Sequence, residues 1–551
     1  MTIKLHTSLL AATIASSLLT GCGSSTSSTK AEGNTSPEVA TACEGQATWP
    51  ARALTEADAA KADPTQFIPE AQLKSWGYEL DAVGLRATGN PAHEAYIDRL
   101  AARLRCAGVT DVRFEEVPIT SWTADRWTLN IPSGPMAGPV KVAAYGPFTG
   151  TTPAQGLSAP MIYLTKDDTI DPAVVKGKMV VIESPTSTLP VAGFSIYAMG
   201  LYQIIGDNLL KMYSRPYLAQ GDLITQLDAL DKAGAAGMIA VSPVPYEVAY
   251  GSYYPYDGIL RRVPMLFVDK DVGARLKTVA DGTTPITMTL LATVKPTTTR
   301  NIIATIPGMS DEYTVIHSHT DGTNSIEDNG PDAIIGIAQY LARLPRTALK
   351  RSIMINLTAG HFTGGSGAQS FLARHGNDGL LDKIASIVTI EHLGAQEWEP
   401  DSTGQLKYTG KPELGAMFQP PIQALADASY DYFVNANAGP GAVLKPLNAS
   451  GDGSPNNAVW PGEGQYFYGI KKIPTANYIS GPNYLLNWGI TTADKTDFDR
   501  MRRQMISFAQ MQLNLSGVAK ADLKKESPLV LTVGTDPAKG IPNGVLGLPS
   551  L

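Results

Sequence analysis

Between Thr314 and Gly330 the chain reads TVIHSHTDGTNSIEDNG. An apolar pair, Val315 and Ile316, runs into His317, His319 and Asp321. Two-residue spacing sets His319 and Asp321 on the same side of an extended strand end. Two adjacent acids follow, Glu327 and Asp328, and then a Gly-Pro break and a helical pattern through Ala333, Ile334, Ile337, Ala338 and Leu341. Imidazoles and carboxylates grouped in this way suit a divalent metal such as zinc, and they also suit a polar loop whose histidines are satisfied by neighbours. A strand, a polar loop and a helix put that loop at the carboxyl end of an open α/β sheet, where ligands bind.

Other residues able to do chemistry lie at similar places. Gly360 and His361 follow the strand-like RSIMINLTAG, and Glu391 and His392 sit together in TIEHLGA. Alternation along a strand would point His392 to the face opposite Glu391. His93 and His375 fall in helical segments and read as surface residues. Glu463, between Gly462 and Gly464, precedes the aromatic run Tyr466 to Tyr468 and reads as packing or as a pocket wall. Gly365-Ser366-Gly367 does not meet the GxSxG pattern of a serine nucleophile.

These segments need a scaffold. With 551 residues, two or more domains are expected. A net charge of −7, with both signs scattered, leaves no basic face for nucleic acid. Residues 46–125 open with helical patterning, notably His93 to Leu104, and end in alternation at Val112, Phe114 and Val117. Residues 126–297 read as a smaller β-rich domain with one clear helix, Leu223 to Ala233, and an aromatic insert, Leu189 to Tyr217. From residue 298 to 515 strands alternate with helices, which predicts a mostly parallel sheet covered on both faces. Residues 516–551 form a tail rich in Pro, Gly and Lys.

The amino terminus reads as an address. Lys4 precedes a short apolar run, Leu9 to Leu19, too short to span a bilayer. Leu19-Thr20-Gly21-Cys22 resembles a bacterial lipobox, which implies a signal peptide over 1–21 and lipidation of Cys22. Residues 22–45 then serve as a flexible tether. No acidic retention signal follows Cys22, so the expected location is the cell envelope, facing the periplasm or the exterior, and the outer membrane of a double-membrane bacterium. Cys43 and Cys106 are expected to form a disulfide in an exported chain.

Taken in order, several phrases resemble the aminopeptidase Y and glutamate-carboxypeptidase-like family of zinc exopeptidases. GLRATGNPAHEAYIDRLAARLRCAG, NIIATIPG, HSHTDG, EDNGPDA, TIEHLGA and IPTANYI carry the likeness, over about Pro69 to Leu515. VVKGKMVVIESP, LDALDKAGAAGMIAVSP and RRVPMLFVD resemble an inserted protease-associated (PA) domain. The resemblance implies an α/β three-layer sandwich of the zinc-exopeptidase, phosphorylase/hydrolase-like kind, with the PA domain over 126–297. It implies one zinc bound by His319, Asp328 and Glu391, with Asp328 bridging toward a second site. Asp321 would orient His319 through its other ring nitrogen. The chain departs from the family in two places. Gly360 and His361 stand where the family has two adjacent glutamates, a base and a ligand, so His361 is the substitute ligand and the base is missing. The late loop GPNYLLNWGITTADKTD holds Asn487 and Trp488 and no histidine. Glu327 and then His392 are the substitute bases. The implied function is a lipid-anchored, metal-dependent hydrolase of peptides or amides. The alternative is a catalytically impaired relative that binds peptide or protein.

Overall fold

The computed structural model describes Cys43 and residues 51–204, 211–454 and 457–527. The expected signal peptide, the lipidated Cys22 and the end of the tail lie outside the described residues. None of the described helices is long and apolar enough to cross a membrane.

In chain order the strands that build the molecule are β1 (Asp111–Ile131), β2 (Ala144–Tyr145), β3 (Leu157–Leu164), β4 (Met179–Glu183), β5 (Ala198–Tyr202), β6 (Gly237–Val241), β7 (Met265–Val268), β8 (Asp281–Ile306), β9 (Tyr313–His319), β10 (Ser352–Thr358), β11 (Ile384–Ile390), β12 (Gly415–Phe418), β13 (Gly441–Leu444) and β14 (Thr475–Ser480). They lie in one 15-stranded sheet, in the order β2-β7-β6-β4-β3-β8-β10-β9-β11-β14-β12-β13-β5, with β1 paired along β8 and the fifteenth strand, Gly138–Val140, paired with β1. β10, β9, β11 and β14 run parallel to one another. So do β7, β6, β4 and β3 in the second lobe. The protein is a mixed α/β fold with a large, mostly parallel sheet.

Side-chain alternation explains why both faces are covered. Ile353, Ile355 and Leu357 of β10 enter one hydrophobic core and Met354 enters another on the opposite face. Parallel strands buried on both sides read as continuous apolar runs, as SIMINL and IASIVTI do. On the first face pack α1 (Glu70–Val83), α2 (Pro91–Cys106), α4 (Gly330–Leu341), α6 (Gln423–Ala436) and α8 (Phe498–Gly517). On the second lie α5 (Ser366–Arg374) and α7 (Gln465–Lys471). The helix expected at 223–233 is α3 (Gln220–Ala233), stopped by Gly234 in the left-handed conformation.

Three expectations change. The boundaries at 125/126 and 297/298 fall inside β1 and β8, which pair from Asp111 opposite Thr305 to Asn130 opposite Thr287 with one register shift. The β-rich middle segment is itself a parallel α/β lobe. The aromatic insert is shared between lobes, because its strand β5 pairs with β13 at the far edge of the main sheet. Cys43 and Cys106 form the expected disulfide, with Cα atoms 5.6 Å apart.

Candidate metal centre

The carboxyl ends of the parallel strands carry the site. His319 is the last residue of β9, His361 follows β10, and Glu391 and His392 follow β11. All are buried, and His361 is the most open at 8%. His361, Glu391 and His392 line a cavity of about 590 Å³ together with Glu327 and Glu463, and residues of the inserted lobe, Tyr217, Gln220 and Tyr256, form part of its wall.

Two histidines are locked in the tautomer a metal needs. His319 Nδ1 donates to the Asp321 backbone carbonyl at 2.8 Å, and His392 Nδ1 donates to the Ser480 carbonyl at 2.7 Å. A ring nitrogen that donates its proton leaves the other with a lone pair. Neither Nε2 has a hydrogen-bond partner among the described residues, and the same is true of Glu327 Oε1, Glu391 Oε2 and Glu463 Oε2. Buried orphan atoms are costly, so five in one place indicate a missing ligand.

His319 Nε2 lies 4.0 Å from both Glu327 Oε1 and Glu391 Oε2. One ligand atom each from His319, Glu327 and His392 lie within 4.8 Å of one another. Zinc bonds of about 2.0–2.2 Å require ligand atoms roughly 3.3–3.6 Å apart in a tetrahedron, so the shell must draw in by about half an ångström. The donor chemistry fits a divalent cation, which these residues would hold through two neutral imidazoles and one or two carboxylates. Burial pushes the His392 pKa down to about 3, which keeps it neutral. Burial also works to lower His319, but Glu327, Glu391 and Glu463 outweigh it and raise its pKa.

His392 departs from strand alternation because the strand ends at Ile390. Its φ of 57° lies in the left-handed region and turns the ring to the same side as Glu391. Glu391 is fixed by two donors on Oε1, the Glu463 backbone N–H at 2.9 Å and Asn477 Nδ2 at 3.0 Å.

Asp328 is not in the centre. Its carboxylate takes two bonds from the fully buried Arg86 guanidinium, Nε to Oδ2 at 2.8 Å and Nη2 to Oδ1 at 2.6 Å. Its neighbour Glu327 faces the cavity instead. Ile326 sits in the core of the inserted lobe and helps set that choice. Asp321 also differs from expectation, because its backbone carbonyl, not its carboxylate, orients His319. The carboxylate accepts the backbone N–H groups of His361 and Phe362 and the Thr88 hydroxyl. Asp321 thus anchors the loop that carries His361.

His361, like His319 and His392, has Nδ1 held by an oxygen and Nε2 turned toward a carboxylate of the site. Nδ1 reaches Glu463 Oε1 at 2.7 Å, and Nε2 lies 3.3 Å from Glu327 Oε1. Its ring stacks on His319 with centroids 4.3 Å apart. Burial opposes protonation, but the two carboxylates hold its pKa well above the ordinary imidazole value. His361 thus lies between two carboxylates, bound to Glu463 and facing Glu327.

His317 and His93 are structural. His317 bonds Thr389 and Thr358, and burial lowers its pKa to about 3. His93 is fully buried, contrary to expectation, and bonds Thr320. Asn487 of the late loop donates to Val248 and Tyr250, tying the site loops to the inserted lobe. Ser366 starts α5 and bonds Thr363.

Arg86, Asn477 and the inward turn of Glu463 escape sequence reading. Only the Gly-Glu-Gly bracket signalled the last. A Cβ on Gly462 would meet Asn477 Oδ1 at 2.7 Å and one on Gly464 would meet Thr389 Oγ1 at 2.7 Å, so two glycines let this loop lie against the sheet.

No protein-family model matches the chain, and no curated protein matches it in sequence. Solved structures do match in fold. A peptidase M28 precursor from Shewanella amazonensis superposes with a TM-score of 0.58 at 19% identity, over 82% of this chain and 96% of its own. BSAP, a zinc aminopeptidase from Bacillus subtilis, gives 0.55 at 15%, over 80% and 94%. An aminopeptidase from an Aneurinibacillus species gives 0.51 at 14%, over 81% and 93%. The chain has the fold of the M28 peptidases.

Proposed function

We propose that the chain is a metal-dependent hydrolase of peptides or amides, with zinc as its metal, exported and held to the cell envelope by a lipid on Cys22. The observation that carries the reading is the pair of imidazoles, His319 and His392, each with Nδ1 tied to a carbonyl and Nε2 free beside orphan carboxylate oxygens. A bound divalent metal supplies Lewis acidity for a scissile carbonyl and an acidified water. The chain's own residues do the rest. Asp321 and Ser480 fix the two tautomers, and Asn477 aims Glu391. Tyr217, Gln220 and Tyr256 give the middle lobe, here assigned as a PA-like insert, a part in holding substrate.

The test is metal analysis of purified protein, paired with hydrolysis of aminoacyl and peptidyl amides with and without chelator. Stoichiometric zinc and chelator-sensitive hydrolysis are expected. Zinc with no hydrolysis would favour the binding-only reading, which the non-acidic Gly360 supports. Lipidation is tested separately by mass spectrometry of the mature amino terminus, and an unmodified terminus would remove the anchor.

A further inference from the structure

We propose that Glu463 is the carboxylate that takes the proton from the attacking water. The proposal rests on the hydrolase reading above and names the residue that serves it.

Water attack on an amide needs a base within hydrogen-bond reach. Five carboxylates border the cavity. Asp228 and Asp257 are both paired with Arg261, and the surroundings of the other three separate them. Glu327 sits among the imidazoles, with Oε1 4.0 Å from His319 Nε2 and Oε2 taking the Thr323 backbone N–H. Glu391 has Oε1 occupied by two donors and Oε2 4.0 Å from His319 Nε2. Both present an oxygen to His319 Nε2, where a cation would be held. Glu463, like Glu391, lies outside the group of three that closes within 4.8 Å, but its bonded partner is His361 and not His319. Its Oε1 is held by His361 Nδ1 at 2.7 Å, and its Oε2 has no partner among the described residues. The side chain is 2% exposed and borders the cavity.

The loop around Glu463 is built to hold it there. Gly462 and Gly464 lie against Asn477 at distances a Cβ would forbid. The Glu463 backbone N–H donates to Glu391, which ties the base to the cation-binding carboxylate. His361 fixes one oxygen and leaves the other open.

In the step, a water O–H bond breaks and its proton goes to Glu463 Oε2. The water oxygen bonds the carbonyl carbon, and the C=O π pair moves to the carbonyl oxygen. When that pair returns, the C–N bond breaks and Glu463 passes its proton to the leaving nitrogen. The products are a carboxylic acid and an amine, and Glu463 is regenerated.

The experiment compares full-length wild type with Glu463→Gln and Glu463→Asp on an aminoacyl 4-nitroanilide panel. Zinc affinity by competition titration and the thermal midpoint are measured beside kcat and KM. Glu463→Gln should lower kcat by about 10²–10⁴. Its KM and zinc affinity should stay within about twofold of wild type. Glu463→Asp, which keeps a carboxylate, should recover part of kcat and serves in place of Glu463→Gln if that variant does not fold. Activity of Glu463→Gln within about tenfold of wild type would overturn the proposal. So would loss of zinc in step with activity, which would make Glu463 a ligand. A wild type that binds zinc but hydrolyses nothing on the panel removes the hydrolase reading, and the proposal falls with it.

Discussion

Residue 328 shows how one ion pair redirects a site. Arg86 and Asp328 are both fully buried, so each charge depends on the other. Removing one partner of such a pair costs about 3–5 kcal/mol, because the other is left uncompensated. Asp328→Asn is expected to lower unfolding free energy by about that much while leaving zinc affinity of the folded protein unchanged. His319→Ala and His392→Ala should do the reverse, losing zinc at modest cost in stability. Chemical denaturation and zinc titration of the three variants separate the two roles, and an Asp328→Asn protein that folds normally but loses zinc would restore Asp328 as a ligand. A second prediction belongs to His93. Its Nδ1 accepts from the Gly89 N–H and its Nε2 bonds Thr320, so the ring is neutral. Burial lowers its pKa below 6.5 against the opposing pull of Asp321 and Glu94. The unfolded chain therefore takes this proton first as pH falls. The stability the neutral ring contributes is present above pH 6.5 and lost below it, with a slope of at most about 1.4 kcal/mol per pH unit. Urea midpoints at pH 7.5 and 5.0 should show a shallower pH dependence in His93→Gln than in wild type.

Elements decide what residues can do, and here the sequence is legible in part. β9, β10, β11 and β14, and the helices α4, α5 and α8, announce themselves by apolar runs and helical periods, whereas α6 does not. β12 and β13 do not, because GAMF and GAVL are short and begin with small residues. β8 does not read as one strand either. Its middle, TVKPTTTR, has the composition of a linker and becomes a strand only because β1 pairs with it. The site follows the same pattern. His319, Glu327, Glu391 and His361 were visible as residue types at strand ends. Which of Glu327 and Asp328 faces inward depends on Arg86, 242 positions away, and spacing cannot report that. Gly360 shows an element excluding a side chain. Its φ is +89°, and a Cβ there would lie 2.1 Å from Ser366 Oγ and 2.9 Å from the Gly367 nitrogen. The turn after β10 is built around a residue with no side chain. Gly360→Glu, which would put a carboxylate back at this position, is expected to lose at least the roughly 1–3 kcal/mol of a disfavoured backbone state. It should also displace His361 and fail to raise activity. A stable Gly360→Glu protein with higher kcat would show that the turn is adaptable.

At the scale of the whole molecule, the two lobes share more than a linker. The ladder of β1 on β8 runs through both cores, β5 leaves the inserted lobe to edge the main sheet, and Asn487 and Trp488 pack against the inserted lobe. Ile326 and Phe362, each next to a site residue, belong to the inserted lobe's core. The lobes should therefore unfold together, in one calorimetric transition. The disulfide acts on that same transition. It joins Cys43 to Cys106 across a separation of 63 residues, at the end of α2. In the chain-entropy account, closing a loop of that length stabilises by about 4 kcal/mol, and measured bridges commonly give 2–4. α2 starts beside the site, where Asn90 caps it and His93 meets Thr320, and its 16 residues run about 24 Å to Cys106. The bridge is thus remote from the metal centre, and its loss should be felt in stability alone. Cys106→Ala is expected to lower the midpoint of the single transition while leaving zinc affinity unchanged. Two resolved transitions in wild type, with the inserted lobe melting first, would contradict the shared ladder. A Cys106→Ala protein of unchanged midpoint would show that the tether's end adds nothing to the fold.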